Sequence, residues 1–390
     1  MLELADIVRA YGPAYGAKYG ARMLPGHKKV LRDIAACRTE ALGGEVFFCD
    51  GCQEFLYRYH SCGNRHCPKC GQDRADRWRD KQLRKLLPVP YFMVTFTLPH
   101  SLNPLARSHQ KLVYRLLFQS SAEALQALAL NPKWLGGKIG MVGALHTWKR
   151  DMGYHLHIHY LVPGGGIDPQ SGEWVTSHPK FLVPGSALRA VFRAKFRDAL
   201  KAADPQRFAQ APPETWHTTW SVHCKAVGDG RRALKYLTPY ISRVALSNRR
   251  LISMKGAAVT FSYKPHKKAW QTMTLPALKF ISRFLQHVLP KGFQKVRYFG
   301  ILHPSAKATF TALKQRLEDT VLDPRDWSVP DDAAPSHEHG DTQHTPDHPG
   351  VCPHCGGALR YVGRIARWRP GMLPLVYQRG PPERQEGESS

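Results

Sequence analysis

Acidic residues are scarce in this chain. Its 390 residues contain 30 Asp and Glu against 56 Lys and Arg, which gives a formal net charge of +26 at pH 7. A surplus of this size, spread over many segments, points first to a polyanionic partner such as a nucleic acid.

Long apolar runs and nucleotide-binding loops are also missing. No run of about 18 apolar residues occurs, so the sequence predicts no membrane span. The first ten residues include Glu3 and Asp6 and lack the apolar block of a signal peptide. The glycine-rich P-loop of ATPases is absent. We therefore expect a cytoplasmic protein whose chemistry does not consume ATP.

Cysteines are few and unevenly placed. Six of the nine lie between Cys37 and Cys70, two form Cys352-Pro-His-Cys355, and Cys224 stands alone. In a cytoplasmic chain, CxxC pairs favour metal ligation over disulfides. The terminal pair supplies only two ligands, so a half-ribbon with weak or no metal binding is at least as strongly expected there. Histidines that could complete the site lie in a linker that is poor scaffolding: His337, His339, His344 and His348.

Two CxxC knuckles in the cysteine-rich segment predict a zinc site. Cys49-Asp-Gly-Cys52 and Cys67-Pro-Lys-Cys70 are separated by 14 residues. Each supplies two thiolates from one tight turn, which suits tetrahedral Zn²⁺, and the metal would supply much of the folding free energy of so short a segment. Four neighbouring side chains are close enough in sequence to replace one ligand or to build a second site: Cys37, His60, Cys62 and His66.

Basic and aromatic side chains surround the knuckles. Tyr57, Tyr59 and Trp78 are interleaved with Lys and Arg residues, and this combination is typical of surfaces that neutralise phosphates and stack on bases. A purely structural zinc ribbon remains the alternative. The basic residues that we predict to contact DNA here are Arg58, Arg65, Lys69, Arg74 and Arg77.

The segment Tyr154-His-Leu-His-Ile-His-Tyr-Leu-Val162 carries the sharpest chemical signal. On a strand, His155, His157 and His159 point to one face while the apolar residues point to the other. Buried imidazoles are costly unless something binds them, so this pattern predicts a divalent cation such as Mn²⁺, or Mg²⁺ with phosphate oxygens completing the shell. A metallohydrolase HxHxDH box is disfavoured because Leu161 occupies the aspartate position.

A third ligand is expected on a neighbouring strand. His146 lies in Ala-Leu-His-Thr-Trp, which we predict to form a hairpin with residues 157–162. It is the candidate third ligand, with His155 as the rival, and a packing role for His146 is an equally weighted alternative.

Two tyrosines are spaced as neighbours on one helix face. Tyr236 and Tyr240 are four residues apart, with Pro239 implying a bend or a helix start nearby. Such pairs are more often core residues. Beside a metal-binding histidine pair and a large positive charge, however, the pair suggests nucleophiles that attack a phosphodiester.

The mixture of strands and helices predicts an α+β fold. Strands are expected at 91–98, 140–148 and 155–162, and helices at 74–87, 182–202 and 233–244. The composition changes after residue 320, where acids, prolines and histidines replace the apolar pattern. The predicted divisions are an N-terminal helical region (1–36), a zinc-binding module (37–90), a catalytic domain (91–320), an acidic disordered linker (321–350) and a basic tail (351–390).

Several motifs together resemble the two-tyrosine HUH rolling-circle transposases of bacterial insertion sequences, of the insertion-sequence-ninety-one type. The resemblance runs from Tyr11 to Pro304 and is carried by the following stretches: Cys37-Arg-Thr-Glu-Ala-Leu-Gly-Gly, Asn64-Arg-His-Cys-Pro-Lys-Cys70, Phe96-Thr-Leu-Pro-His100, Leu145-His-Thr-Trp148, 155–165, 236–248, 280–293 and Arg297-Tyr-Phe-Gly300.

The resemblance implies a palm-like antiparallel sheet with helices, preceded by a zinc module. It implies that His157 and His159 are HUH metal ligands for Mg²⁺ or Mn²⁺, and that Tyr236 and Tyr240 are the nucleophiles. The expected function is nicking and rejoining of single-stranded DNA at insertion-sequence ends through a 5′-phosphotyrosine, as in rolling-circle transposition. Candidate phosphate contacts follow the tyrosines: Arg243, Arg249 and Arg250.

The expected partners are single-stranded DNA, the element's ends, and a host helicase or replication machinery, since the chain shows no helicase motif. The protein would then be nucleoid-associated when bound to DNA. Two alternatives remain open at this point. One is a plasmid relaxase or replication initiator with the same chemistry, and the other is a catalytically dead, zinc-dependent DNA-binding regulator.

Overall fold

The computed structural model describes residues 1–242, 245–265, 268–320 and 350–367, without the side chains of 72–74 and 239–242. The chain divides into two compact units. The larger unit contains residues 1–35 and the described residues from 63 to 320. The smaller unit contains residues 36–62 together with the described residues after 340. No described helix is long and apolar enough to cross a membrane.

The larger unit contains the α-helices and most of the strands. Its helices are α1 (Leu4–Tyr19), α2 (Pro25–Ala35), α3 (Gln72–Leu83), α4 (Asn103–Ser108), α5 (Gln110–Leu130), α6 (Gly185–Ala203), α7 (Pro205–Ala209), α8 (Arg231–Ser242), α9 (Ala277–Leu285) and α10 (Lys307–Asp319). The strands of the described residues, in both units, are β1 (Gly44–Cys49), β2 (Glu54–Tyr59), β3 (Tyr91–Thr97), β4 (Met141–Trp148), β5 (Tyr154–Pro163), β6 (Gly165–Ile167), β7 (Trp174–Thr176), β8 (Ser221–Ala226), β9 (Leu251–Lys255), β10 (Ala258–Tyr263), β11 (Gln271–Pro276), β12 (Val296–Phe299) and β13 (Leu359–Ile365).

A five-stranded antiparallel sheet forms the centre of the larger unit. Its strand order is β12-β4-β5-β3-β8, and each neighbouring pair is antiparallel. The smaller sheets β11-β10-β9 and β6-β7 accompany it. The combination of α-helices with antiparallel sheets confirms the predicted α+β class and agrees with the palm-like HUH fold. The strands predicted at 91–98, 140–148 and 155–162 are β3, β4 and β5.

One face of the central sheet carries the main apolar core. The alternating residues Leu156, Ile158 and Tyr160 of β5 are fully buried there with Phe96 of β3 and Phe192 of α6. Helices α5 and α6 contribute most of the opposing apolar side chains. The period of two along β5 therefore sends every second side chain into this core.

The opposite face of the sheet carries a second core and the histidines. Leu161 of β5 packs there with Leu234 and Leu237 of α8 and with Leu313 of α10. Because side chains alternate along a strand, the histidines of β5 share the face of Leu161. Helix α8 begins at Arg231, whose backbone N–H donates to Asp229 Oδ1 at 3.0 Å. Pro239 therefore lies near the helix end and not at its start.

The smaller unit is a three-stranded sheet assembled from distant parts of the chain. Strand β1 lies in the middle, with β2 on one side and β13 on the other, and both pairings are antiparallel. The structure thus divides the chain differently from the predicted zinc module (37–90) and basic tail (351–390). Residues 351–367 complete the sheet begun by 44–59, because β13 supplies the hydrogen bonds for the free edge of β1. The predicted linker (321–350) lies outside the described residues up to residue 349.

Candidate active site

Three histidines converge on the face of the central sheet where α8 packs. His146 on β4 lies opposite His157 on β5, and His159 follows on the same face. The ring centroids of His146 lie 5.0 Å from His157 and 4.6 Å from His159, and those of His157 and His159 lie 4.9 Å apart. Their potential ligand atoms all lie within 4.8 Å of one another. The three imidazoles are therefore close enough to bind one cation.

Hydrogen bonds orient two of these rings. His157 Nδ1 donates to the backbone carbonyl of His155 at 3.0 Å, so the lone pair of its neutral ring lies on Nε2. His159 Nδ1 lies 2.8 Å from the hydroxyl of Thr95, which stands opposite His159 on β3. Partners of this kind fix the orientation of histidine ligands in metalloproteins.

Burial keeps the three imidazoles neutral. Loss of solvent lowers the pKa of His146 and of His157 well below the ordinary value, and it lowers the pKa of His159 to about 4. The neighbouring histidines lower these pKa values further. A neutral imidazole offers the lone pair that a metal ion requires. The donor set therefore fits a divalent cation at neutral pH without displacement of a proton.

His155 lies outside this cluster. Its Nδ1 is 3.3 Å from Nε2 of His100, and the two rings meet edge to face. Of the two candidates for a third ligand, the structure thus brings His146 to His157 and His159. The reason is the register of β4 on β5, which places His146 directly across from His157.

Tyr236 lies over the histidine cluster. Its ring is 5.9 Å from the ring of His159, and the two planes are nearly perpendicular at 89°. Tyr236 is half-buried and reaches the cluster from α8, which packs on this face through Leu234 and Leu237. Tyr240 lies one turn further along α8, but its side chain is outside the described residues.

A second layer behind His146 was not foreseen from the sequence. The Trp148 ring stacks on His146 at 5.7 Å and 18°, and the Lys295 ammonium lies 4.6 Å from the Trp148 ring centroid. Burial, with a smaller effect of Arg65, lowers the pKa of Lys295 to about 7. Trp148 is two residues from His146 on the same strand, and this spacing could have predicted that the two side chains are neighbours. Lys295 is brought to this position only by the tertiary structure.

The basic side chains that were predicted to contact DNA have different surroundings. Several hold partners within the larger unit: Arg65 Nη1 donates to the Phe293 carbonyl at 2.7 Å, Lys69 pairs with Glu3 at 2.7 Å, and Arg250 donates to the carbonyls of Ser262 and Arg150. These contacts indicate structural roles for Arg65, Lys69 and Arg250. Arg77 and Arg249 are exposed, and Arg58 is half-buried on β2. The side chains of Arg74 and Arg243 lie outside the described residues.

The two predicted zinc knuckles do not share one site. In the smaller unit, Cys49 and Cys52 lie beside Cys352 and Cys355, with the four sulfurs within 4.8 Å of one another. The structure thus groups Cys49 and Cys52 with Cys352 and Cys355, whereas the sequence spacing grouped them with Cys67 and Cys70. The terminal pair is also not a half-ribbon, because the pairing of β13 with β1 brings it to the first knuckle.

The remaining candidate zinc ligands separate into two classes. His66 is buried, and both ring nitrogens have partners: Nε2 accepts from the Leu289 N–H at 3.1 Å and Nδ1 lies 3.1 Å from Asn64 Oδ1. His66 is therefore a structural residue, and His60 is exposed. Cys67 and Cys70 belong to the larger unit and Cys37 and Cys62 to the smaller one, and their role in zinc binding stays a prediction.

Two family models match the chain. A model described as "Transposase zinc-binding domain" matches residues 7–98, which include the first six cysteines. A model described as "Putative transposase" matches residues 140–309, which include the histidine cluster and both tyrosines. No solved structure matches the chain.

Two curated relatives extend over most of the chain. "Putative transposase y4qJ" of Sinorhizobium fredii is 36% identical over 319 residues, covering 77% of this chain and 80% of the relative. "Transposase for insertion sequence element IS801" of Pseudomonas savastanoi pv. phaseolicola is 31% identical over 296 residues, covering 70% of each. Since both family models and both relatives are transposases, the chain belongs to the IS91-type family of insertion-sequence transposases.

Proposed function

We propose that this transposase nicks and rejoins single-stranded DNA at the ends of its element by tyrosine transesterification. Tyr236 and Tyr240 are the nucleophiles, and the intermediate is a 5′-phosphotyrosine. The element then moves by a rolling-circle route, with a host helicase or replication supplying the single strand.

One observation carries this proposal. The ring of Tyr236 stands 5.9 Å from that of His159, directly at a cluster of three neutral imidazoles. A tyrosine that only packs in a core does not require a cluster of histidines beside it. A nucleophile that attacks phosphate, in contrast, must lie beside the group that binds the phosphate.

The chemistry is an exchange of one phosphodiester for another. The phenolic oxygen attacks phosphorus, the bond to the 3′ oxygen breaks, and the proton lost by tyrosine is balanced by the proton gained by the departing 3′-OH. A later 3′-OH reverses the reaction on a different strand and releases the tyrosine. The number of phosphodiester bonds is conserved, so the cycle requires no ATP.

The histidine cluster has a defined part in this reaction. His146, His157 and His159 would hold Mg²⁺ or Mn²⁺, which supplies Lewis-acid polarisation of the scissile phosphate when bound. The chain's own contribution is to present the imidazoles neutral and pre-oriented by Thr95 and by the His155 carbonyl. Because imidazole alone is a poor shell for Mg²⁺, phosphate and water oxygens would complete the coordination.

The test is a cleavage assay on single-stranded oligonucleotides that carry the two ends of the element. We expect a covalent protein–DNA band on a denaturing gel when Mg²⁺ or Mn²⁺ is present, and none in EDTA. A scrambled oligonucleotide controls for end recognition. If the ends are bound and no adduct forms with either metal, the proposed chemistry is wrong and the protein acts by binding alone.

The smaller unit has a surface suited to DNA. The rings of Tyr57 and Tyr59 lie parallel, 6.3 Å apart and at 13°, and Tyr57 is 58% exposed. Arg360 lies over the Phe48 ring at 5.4 Å. Aromatic rings provide stacking for nucleobases, and basic side chains beside them neutralise phosphates. We assign recognition of the element's ends to this unit together with the exposed basic side chains.

Binding of DNA should depend steeply on salt. If about six phosphates of a single strand are neutralised, raising monovalent salt from about 50 to about 200 mM is expected to weaken binding by roughly 10²- to 10³-fold. Fluorescence anisotropy with a labelled end oligonucleotide measures this slope. A flat response would contradict nucleic-acid binding through the +26 net charge.

A further inference from the structure

We propose that Cys49, Cys52, Cys352 and Cys355 form a zinc site that fastens the C-terminal part of the chain to the first CxxC knuckle. Two of its four ligands, Cys352 and Cys355, lie outside the matched zinc-binding segment, which ends at residue 98. It also does not depend on the tyrosine chemistry proposed above.

The positions of the sulfurs fit tetrahedral zinc. Cys49 Sγ lies 3.4 Å from Cys355 Sγ, and Cys52 Sγ lies 3.6 Å from Cys352 Sγ. With zinc–sulfur bonds of about 2.3 Å, tetrahedral geometry separates the sulfurs by about 3.8 Å. None of the four cysteines is in a disulfide. The group is therefore close to the size of a four-thiolate zinc site.

The loops that carry the sulfurs have the shape of zinc knuckles. A Cβ on Gly51 would lie 3.1 Å from Cys355 Sγ, and a Cβ on Gly357 would lie 3.3 Å from the same sulfur. Glycine at both positions leaves the space that the thiolates need. The backbone N–H of Gly357 points to Cys355 Sγ at 3.4 Å, which is the contact that stabilises a metal-bound thiolate.

The sheet of the smaller unit cannot be stable through apolar burial alone. Phe47 and Cys49 of β1 are buried, whereas Phe55, Tyr57 and Tyr361 of the flanking strands are exposed. A folded unit as small as this one usually depends on a metal or a disulfide for stability. Zinc binding would replace four thiol protons by one Zn²⁺, and the binding free energy would become folding free energy.

Thiol alkylation of the unaltered full-length protein tests the site directly. Cys355 is exposed, so without metal it should react quickly with iodoacetamide. We expect Cys49, Cys52, Cys352 and Cys355 to be protected in the zinc-loaded protein, and Cys355 to react at least about tenfold faster after a chelator is added. Mass spectrometry of peptides identifies the sites. Equal rates of Cys355 labelling with and without chelator would overturn the proposal.

Zinc stoichiometry of variants supplies a second, independent test. The variants Cys49→Ser and Cys352→Ser/Cys355→Ser should each lose one zinc per chain, and their combination should lose no more than one. Cys224→Ser, on β8 of the larger unit, is the matched control and should lose none. Cys355→His should retain the zinc, because imidazole replaces the thiolate. Full zinc content in Cys352→Ser/Cys355→Ser, measured by elemental analysis, would refute the site.

Discussion

Replacement of both proposed nucleophiles, in Tyr236→Phe/Tyr240→Phe, is expected to abolish the covalent protein–DNA adduct and to lower strand cleavage by about 10³-fold or more. Phenylalanine keeps the ring that lies beside His159 and removes only the phenolic oxygen proposed to attack phosphorus. The adduct is measured on a denaturing gel with labelled end oligonucleotides and Mn²⁺. Each single variant should retain one of the two adducts, which assigns the order of attack.

The control for this experiment is another tyrosine of the same unit. The hydroxyl of Tyr263 on β10 donates to Gln271 Oε1 at 2.9 Å, away from the histidines. Tyr263→Phe should cleave DNA as the unaltered protein does. An adduct that persists in the double variant would place the nucleophile elsewhere, and equal loss in Tyr263→Phe would indicate damage to the fold.

Removal of a histidine that is proposed to bind the metal should have an effect of similar size. His157→Ala and His159→Ala are each expected to lower metal-dependent cleavage by about 10³-fold, since the loss of Lewis-acid stabilisation is worth several kcal/mol. Binding to end DNA should change by no more than about twofold, because the proposed phosphate contacts are made by basic side chains and not by these histidines. Manganese binding, followed by electron paramagnetic resonance, should weaken in the same variants.

The neighbouring histidine provides the matched comparison. His155 is on the same strand, and its ring lies 4.9 Å from that of His157. His155→Ala keeps the backbone carbonyl that His157 uses, so cleavage and manganese binding should be retained. His146→Ala should behave like His157→Ala. If His155→Ala proves as inactive as His157→Ala while His146→Ala is active, the third ligand is His155.

The arrangement of helix and sheet is compatible with the proposed use of two nucleophiles at one site. Tyr236 and Tyr240 are four residues apart on α8, so they follow one another by about one helical turn. Tyr236 stands at the histidine cluster. In the proposed reaction, two tyrosines would allow one strand to be held while a second is cut, as transfer between element ends requires.

Much of the histidine site could be predicted because the pattern is local. Alternation along β5 places His157 and His159 on one face regardless of what surrounds the strand. A hairpin is a short-range structure, so the sequence also identified His146 as a candidate across from β5. It did not decide between His146 and His155, since that depends on register, and a shift by one residue reverses the face of every side chain.

The grouping of the cysteines was harder to predict for a physical reason. Spacing along the chain favoured Cys67 and Cys70 as partners of Cys49 and Cys52, because short loops close at low entropic cost. The pairing of β13 with β1 instead brings in cysteines from about 300 residues later, which is tolerable because the entropic cost of closing a loop grows only slowly with its length.

The sequence by itself determined the α+β class, the basic character, the strand that carries His157 and His159, and the family of this transposase. These properties depend on composition, on a period of two or 3.6, and on motifs of a few residues. The tertiary structure decided which histidine joins His157 and His159, that Thr95 and Trp148 support them, and that Cys352 and Cys355 meet the first knuckle. These features depend on contacts between segments far apart in the chain, and a local sequence pattern carries no information on the energies of such contacts.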